Sequence, residues 1–139
     1  MEDKTLTITN QMDELVIVVD YLDSLGEDWE LSPGLVFSLN LVLEEALTNT
    51  ILYGFDEDHH QHNIAINFTK KGDELTITII DDGREYDPTL KTDPDITLPV
   101  EERPIGGLGI FLIKKIMDQV EYLRKDNRNF LMLTKNISV

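Results

Sequence analysis

Polar and apolar residues alternate at Thr5-Leu6-Thr7-Ile8-Thr9, the pattern of a half-buried strand. The period then lengthens. Met12, Leu15, Val16, Val19, Leu22 and Leu25 recur at helical spacing, and Gly26 is the expected stop. Ser32-Pro33 opens a second helix, with Ser as N-cap and Pro at the first helical position. This helix is expected to run to Tyr53 and end at Gly54, with Leu35, Leu39, Val42, Leu43, Ala46 and Thr50 as its buried stripe.

Strict alternation returns at Ile64, Ile66 and Phe68, and again at Leu75, Ile77 and Ile79, on either side of the turn Lys71-Gly72-Asp73. A β-hairpin ending at Asp81 follows. Gly83 to Pro104 has no such pattern and carries prolines at 88, 94, 99 and 104, as a long functional loop does. Gly107 to Asp118 reads as a helix with Leu108, Phe111, Leu112 and Ile116 on one side. Val120–Arg124 and Phe130–Ile137 read as a second antiparallel pair, turned at Asp126-Asn127-Arg128-Asn129. With 139 residues, no internal repeat and no linker, one domain spanning residues 1–139 is expected.

Composition narrows the picture. A hydrophobic content of 41% is ordinary for a globular chain, and no apolar run is expected to reach the length of a membrane span. Met1-Glu2-Asp3-Lys4 has no basic region followed by an apolar stretch, so no signal peptide is expected. There is no cysteine, which removes disulfides, thiolate metal sites and cysteine nucleophiles and fits a cytoplasmic setting. The formal net charge of -15 opposes nucleic acid and anionic lipid; it either favours a basic protein partner or serves solubility alone.

Three short segments carry candidate chemistry. Glu45 and Asn49, in Glu45-Ala46-Leu47-Thr48-Asn49, stand one helical turn apart on one face. A carboxylate there suits a general base, and an amide oxygen suits Mg²⁺. Glu44 is expected to face solvent, and Thr48 faces either core or ligand. Asp81, at a strand end, is an acceptor that matches the adenine N6 amine, and Gly83 lets backbone come close to a base. Asp-Gly after a strand is equally the mark of an Asx turn. Gly106-Gly107-Leu108-Gly109 opens a helix, where clustered N–H groups bind anions. It is neither a Walker A loop nor a dinucleotide fingerprint. His59, His60 and His62 lack a second ligand cluster and read as a solvated loop rather than a metal site.

Together these segments resemble the GHKL ATPase superfamily, which shares the Bergerat ATP-binding fold, and within it the small bacterial anti-sigma-factor serine kinases of the RsbW and SpoIIAB type. Glu45-Ala46-Leu47-Thr48-Asn49 resembles the family's N box. Asp81-Asp82-Gly83-Arg84-Glu85-Tyr86-Asp87-Pro88 resembles its G1 box, and Gly107-Leu108-Gly109 its G2 box. Met117-Asp118-Gln119-Val120 resembles the usual continuation, and the likeness spans Leu35 to Lys135.

The resemblance implies an α+β two-layer sandwich, with a mixed, mostly antiparallel sheet and about three helices on one face. It implies ATP and Mg²⁺ as cofactors, Asn49 as the Mg²⁺ ligand and Glu45 as base toward a serine hydroxyl. It places Asp81 and Gly83 at adenine, Gly106, Gly107, Leu108 and Gly109 at the phosphates, Thr134 near adenine, and residues 83–104 as the ATP lid. Its implied partners are a STAS-domain antagonist and a sigma factor, in a homodimer, with no direct contact to nucleic acid or membrane.

Two positions depart from the family pattern. Glu85 stands where a second glycine is common, and the basic residue before the G2 glycines is displaced to Arg103, which would assist transfer only if it reaches the γ-phosphate. Three functions remain open at this point: a protein-serine kinase, a non-catalytic ATP-gated binding module, and an orphan histidine-kinase catalytic domain. The last ranks lowest, because the sequence has no room for dimerisation helices with a phosphoacceptor histidine, and its N box begins with Glu.

Overall fold

The structure is a computed structural model, and it describes residues 1–55, 61–90 and 107–138. Five strands, β1 (Glu2–Thr9), β2 (Asn63–Lys71), β3 (Glu74–Asp81), β4 (Gln119–Lys125) and β5 (Arg128–Asn136), form one sheet in the order β1-β2-β3-β5-β4. The expected mostly antiparallel sheet is antiparallel at every pairing. Three helices, α1 (Leu15–Asp28), α2 (Pro33–Tyr53) and α3 (Gly107–Ile116), complete the sandwich.

Alternation along the strands decides which face is covered. Ile64, Ile66, Phe68, Leu75, Ile77, Ile79 and Leu133 are fully buried with the helices, while the intervening residues, such as Asn67, Thr69, Thr76 and Thr78, are only partly buried. Helix α2 contributes Leu39, Val42, Leu43, Ala46 and Leu47 to this core and packs against both α1 and α3. It begins as expected, with the Ser32 hydroxyl accepting from the Leu35 N–H at 3.2 Å. By length and hydropathy α2 passes for a membrane span, with 21 residues and a mean hydropathy of 1.3, contrary to expectation. Its buried residues belong to the core shared with the sheet, which accounts for that composition.

Several local expectations are corrected. Gly26 does not stop the first helix. It lies inside α1, buried, and a Cβ there would come 2.7 Å from Val36 Cγ2, so it is a contact point between α1 and α2. The buried residues of α1 besides Gly26 are Val18, Leu22 and Leu25, whereas Met12, Val16 and Val19 are exposed. In α3 the core side is Ile110 and Ile113, continued by Met117, not the side of Phe111 and Leu112. The β4–β5 turn is tighter than expected. Only Asp126 and Asn127 are unpaired, both at positive φ (54° and 61°), as a two-residue hairpin turn requires.

That turn is testable by substitution. Asn127→Gly is expected to leave stability unchanged or slightly raised, and Asn127→Val to lower it by about 1–2 kcal/mol. Urea unfolding of both variants measures the difference.

Candidate functional site

The site is organised by a buried acid at the end of a central strand. Register pairs Asp81 of β3 with Asn129 of β5. Asp81 is only 7% exposed. Its Oδ1 accepts from the Gly83 N–H at 2.9 Å and from Asn129 Nδ2 at 3.0 Å. Asn129 Nδ2 also donates to the Arg84 carbonyl at 2.8 Å. On its other side, Asn129 Oδ1 accepts from the Tyr122 hydroxyl and, at 3.1 Å, from Arg124 Nη1. Arg124 Nη1 also donates to the Gly83 carbonyl at 2.8 Å. Both internal donors to Asp81 therefore use one oxygen. Among the described residues nothing donates to Oδ2, which is left for a ligand edge that carries a donor.

Burial pushes the Asp81 carboxyl above the ordinary carboxylate range. The bonds from Asn129 and Gly83 oppose that shift, neighbouring Asp82 adds to it, and Arg124 works against it.

The Asp-Gly turn is fixed against the end of α2. The Arg84 N–H donates to the Gly54 carbonyl at 2.8 Å, and a Cβ on Gly83 would come within 2.2 Å of that same oxygen. Backbone cannot yield as a flexible side chain can, so only glycine fits at 83. The reason lies inside the protein and differs from the close approach to a base expected from sequence.

Glu45 and Asn49 share a face of α2, and the first turn of α3 lies against them. A Cβ on Gly109 would stand 2.7 Å from Glu45 Oε2 and 3.4 Å from Asn49 Nδ2. Sequence motifs far apart in the chain thus meet here: an acid–amide pair beneath a glycine-rich helix start, where free N–H groups favour anions. Glu44 is exposed, as expected, and Thr48 is half-buried.

A mainly apolar cleft of about 500 Å³, counting its open mouth, joins these two parts. Asn49, Asp81, Tyr86, Ile110, Tyr122 and Asn129 are among its lining residues. Its chemistry suits a flat aromatic ring between apolar walls, with a donor edge toward Asp81 and an oxygen-rich tail toward Asn49 and the start of α3.

Of the residues singled out in the sequence, Glu45, Asn49, Asp81, Gly83 and Gly109 come together around this cleft, with the backbone of Gly107 and Leu108 forming the start of α3. Thr134 does not join them. It pairs with Thr76, and strand alternation from buried Leu131 and Leu133 puts it on the opposite face of the sheet. Arg103, Gly106 and the greater part of the expected lid lie outside the described residues, as do His59 and His60. Glu85 is exposed. His62 stacks on Phe55 with ring centroids 4.8 Å apart, and its Nδ1 lies 3.2 Å from Asp82 Oδ1. No cluster of metal-binding side chains occurs among the described residues.

Sequence reasoning missed Tyr122, Arg124 and Asn129. The expected four-residue turn ends at Asn129. Once the turn is set at Asp126-Asn127, alternation through Leu131 and Leu133 points Asn129 inward, opposite Asp81.

A two-layer sandwich with this buried acid, and with an acid–amide pair under a glycine-rich helix start, defines an ATPase domain of the histidine-kinase type. The chain belongs to the histidine kinase-like ATPase domain family, whose pattern matches residues 8–135. The serine/threonine-protein kinase BtrW of Bordetella bronchiseptica is 31% identical over 114 residues, covering 81% of this chain and 78% of that protein. The serine-protein kinase RsbW of Bacillus cereus is 34% identical over 98 residues, and the match covers 68% of this chain but only 60% of that relative's length. Among solved structures, the RsbU and RsbW domains of Rv1364c from Mycobacterium tuberculosis share the fold with a TM-score of 0.71 at 12% identity, over 100% of this chain and 33% of that one. The catalytic domain of histidine kinase ThkA does so with a TM-score of 0.55 at 14% identity, over 99% of this chain and 98% of that one.

The Asp81 environment predicts a pH signature. Its native pKa is raised, so the native state binds the proton more tightly than the unfolded chain. Stability is therefore lost as pH rises from the ordinary carboxylate range through the raised native value. Asp81→Asn keeps an Oδ1 acceptor and removes the charge. It is expected to be at least as stable as the wild type at neutral pH, with any advantage vanishing in acid below both pKa values. Thermal unfolding of both proteins across pH tests this.

Proposed function

We propose that the chain is an ATP-dependent protein-serine kinase that works as a partner-switching regulator, phosphorylating a serine on a STAS-domain antagonist and binding a sigma factor as a homodimer in the cytoplasm. The observation that carries the proposal is the packing of Gly109, at the start of α3, against Glu45 and Asn49, beside a cleft that Asn49 and Asp81 both line. The likeness to the two serine kinases supports the same reading.

Each residue has a distinct task. Asp81 offers Oδ2 to the adenine N6 amine, and its Oδ1 is held by Gly83 and Asn129. The apolar walls at Ile110 and Ile113 exclude water from the ring. The N–H groups opening α3 face the phosphates. The donors present fit Mg²⁺: Asn49 supplies a neutral amide oxygen beside the Glu45 carboxylate, and an ion held by a single protein ligand takes its remaining oxygens from phosphate and water. Bound Mg·ATP supplies the phosphoryl group and the charge neutralisation for its transfer. Glu45 accepts the proton of the attacking serine hydroxyl. The role of Arg103 as an additional cation rests on the family resemblance alone.

Phosphate transfer from labelled ATP to a STAS-domain partner tests the proposal; binding without transfer would leave a nucleotide-gated interaction module. Asn49→Ala is expected to weaken Mg·ATP binding at least about tenfold while barely changing metal-free ATP binding. Equal losses would remove Asn49 as the metal ligand. Glu45→Ala is expected to bind Mg·ATP nearly as well as the wild type and to lose transfer by about 10²–10⁴-fold. Retained transfer would remove Glu45 from the chemistry.

A further inference from the structure

Helices α1 and α2 leave a groove between them on the surface. At one end it is lined by Val16, Val19, Leu43, Glu44 and Leu47, and at the other by Glu27, Glu30, Val36 and Phe37. These pairings run the two helices antiparallel. Along α2 the groove extends from Pro33 to Leu47, roughly 21 Å, or about four turns of a docked helix. Part of its apolar lining lies outside the core: Phe37 is 67% exposed, Val16 61% and Val19 43%. Asn40 lines both halves, and its Oδ1 is buried without a hydrogen-bond partner, which is uncommon for a native amide.

The charge around the groove has one sign. Residues 5–69 contain no lysine or arginine, so neither α1 nor α2 carries a basic side chain. Asp23, Glu27 and Glu30 form the rim of one half and Glu44 that of the other.

We propose that this groove docks a basic amphipathic helix of a partner protein, with its apolar face on Val16, Val19 and Phe37 and its lysines or arginines over Asp23, Glu27, Glu30 and Glu44. An apolar floor gives affinity and a complementary rim fixes partner choice. The charge argues against the other occupants. A second copy of this chain would bring two acidic rims face to face, and nucleic acid or an anionic membrane would be repelled outright. The inference does not depend on the nucleotide site, because these residues stand outside that cleft.

The test uses the full chain and a fluorescein-labelled synthetic helix with leucines on one face and lysines on the other, beside a control peptide with glutamate in place of each lysine. Anisotropy is expected to show saturable binding of the lysine peptide alone, weakened by at least about tenfold when salt rises from about 0.05 to about 0.5 M. The double variant Glu27→Lys/Glu30→Lys and the single variant Phe37→Ser should each weaken it about tenfold or more. Both change exposed residues, so their unfolding midpoints and Mg·ATP binding should match the wild type. Lysine-peptide binding that ignores both variants would place it elsewhere on the acidic surface and overturn the proposal, as would no binding at all. A peptide-free dimer in sedimentation that Phe37→Ser dissociates would assign the groove to a second copy and overturn it equally.

Discussion

A carboxylate buried at the end of a central strand must be held, and the way Asp81 is held organises much of the site around it. An unpaired acid in that position would cost several kcal/mol or simply take up a proton. Here Asn129 and the Gly83 N–H hold one oxygen, and Arg124 reaches the same cluster through Asn129 and the Gly83 carbonyl. The same bonds fix the Asp-Gly turn, which then meets the last residues of α2 at Gly54. Strand register, loop path and helix end are thus tied to one side chain, whose other oxygen remains for a ligand. The raised pKa of this acid reflects the cost of burying its charge, the kind of environment found at binding sites.

The second constraint is the close approach of α3 to α2. A side chain at Gly109 would displace the Glu45 carboxylate and sit in contact with Asn49. Glycine there leaves the Glu45 carboxylate in place against the helix start. It brings the start of one helix over the acid–amide pair of another, so anion-binding N–H groups and oxygen ligands converge. Helix α2 therefore works on several faces. Leu39, Leu43 and Leu47 enter the core, Asn49 lines the cleft and Glu45 lies against Gly109, and Phe37 and Glu44 turn to the acidic groove.

Much of this was legible in the sequence because the period is clean where one face is buried. The β2–β3 hairpin and the Ser32-Pro33 helix start followed from alternation and capping chemistry, and the motifs at 45–49 and 81–83 carried the family resemblance. The errors arose where the pattern is degenerate. In β5 both alternate sets are apolar, Phe130 and Met132 on one side and Leu131 and Leu133 on the other, so alternation alone does not fix which way Asn129 points, while Thr134, implied only by the resemblance, falls on the face away from the helices. In α1 valine and isoleucine run through Val16-Ile17-Val18-Val19, and periodicity alone does not say which of them face inward. Gly26 carried the usual signal of a helix end, yet the reason for glycine there is Val36, a contact that only the folded chain reveals.

The most direct measurement is calorimetric titration of the protein with Mg·ATP and, in parallel, with Mg·GTP, which carries a carbonyl where adenine has its N6 amine. The account predicts saturable one-to-one binding of ATP and at least about a hundredfold weaker binding of GTP, because a carbonyl against Asp81 Oδ2 sets acceptor against acceptor. No heat with ATP, or equal affinity for the two nucleotides, would contradict the assignment of Asp81 and of the cleft it anchors.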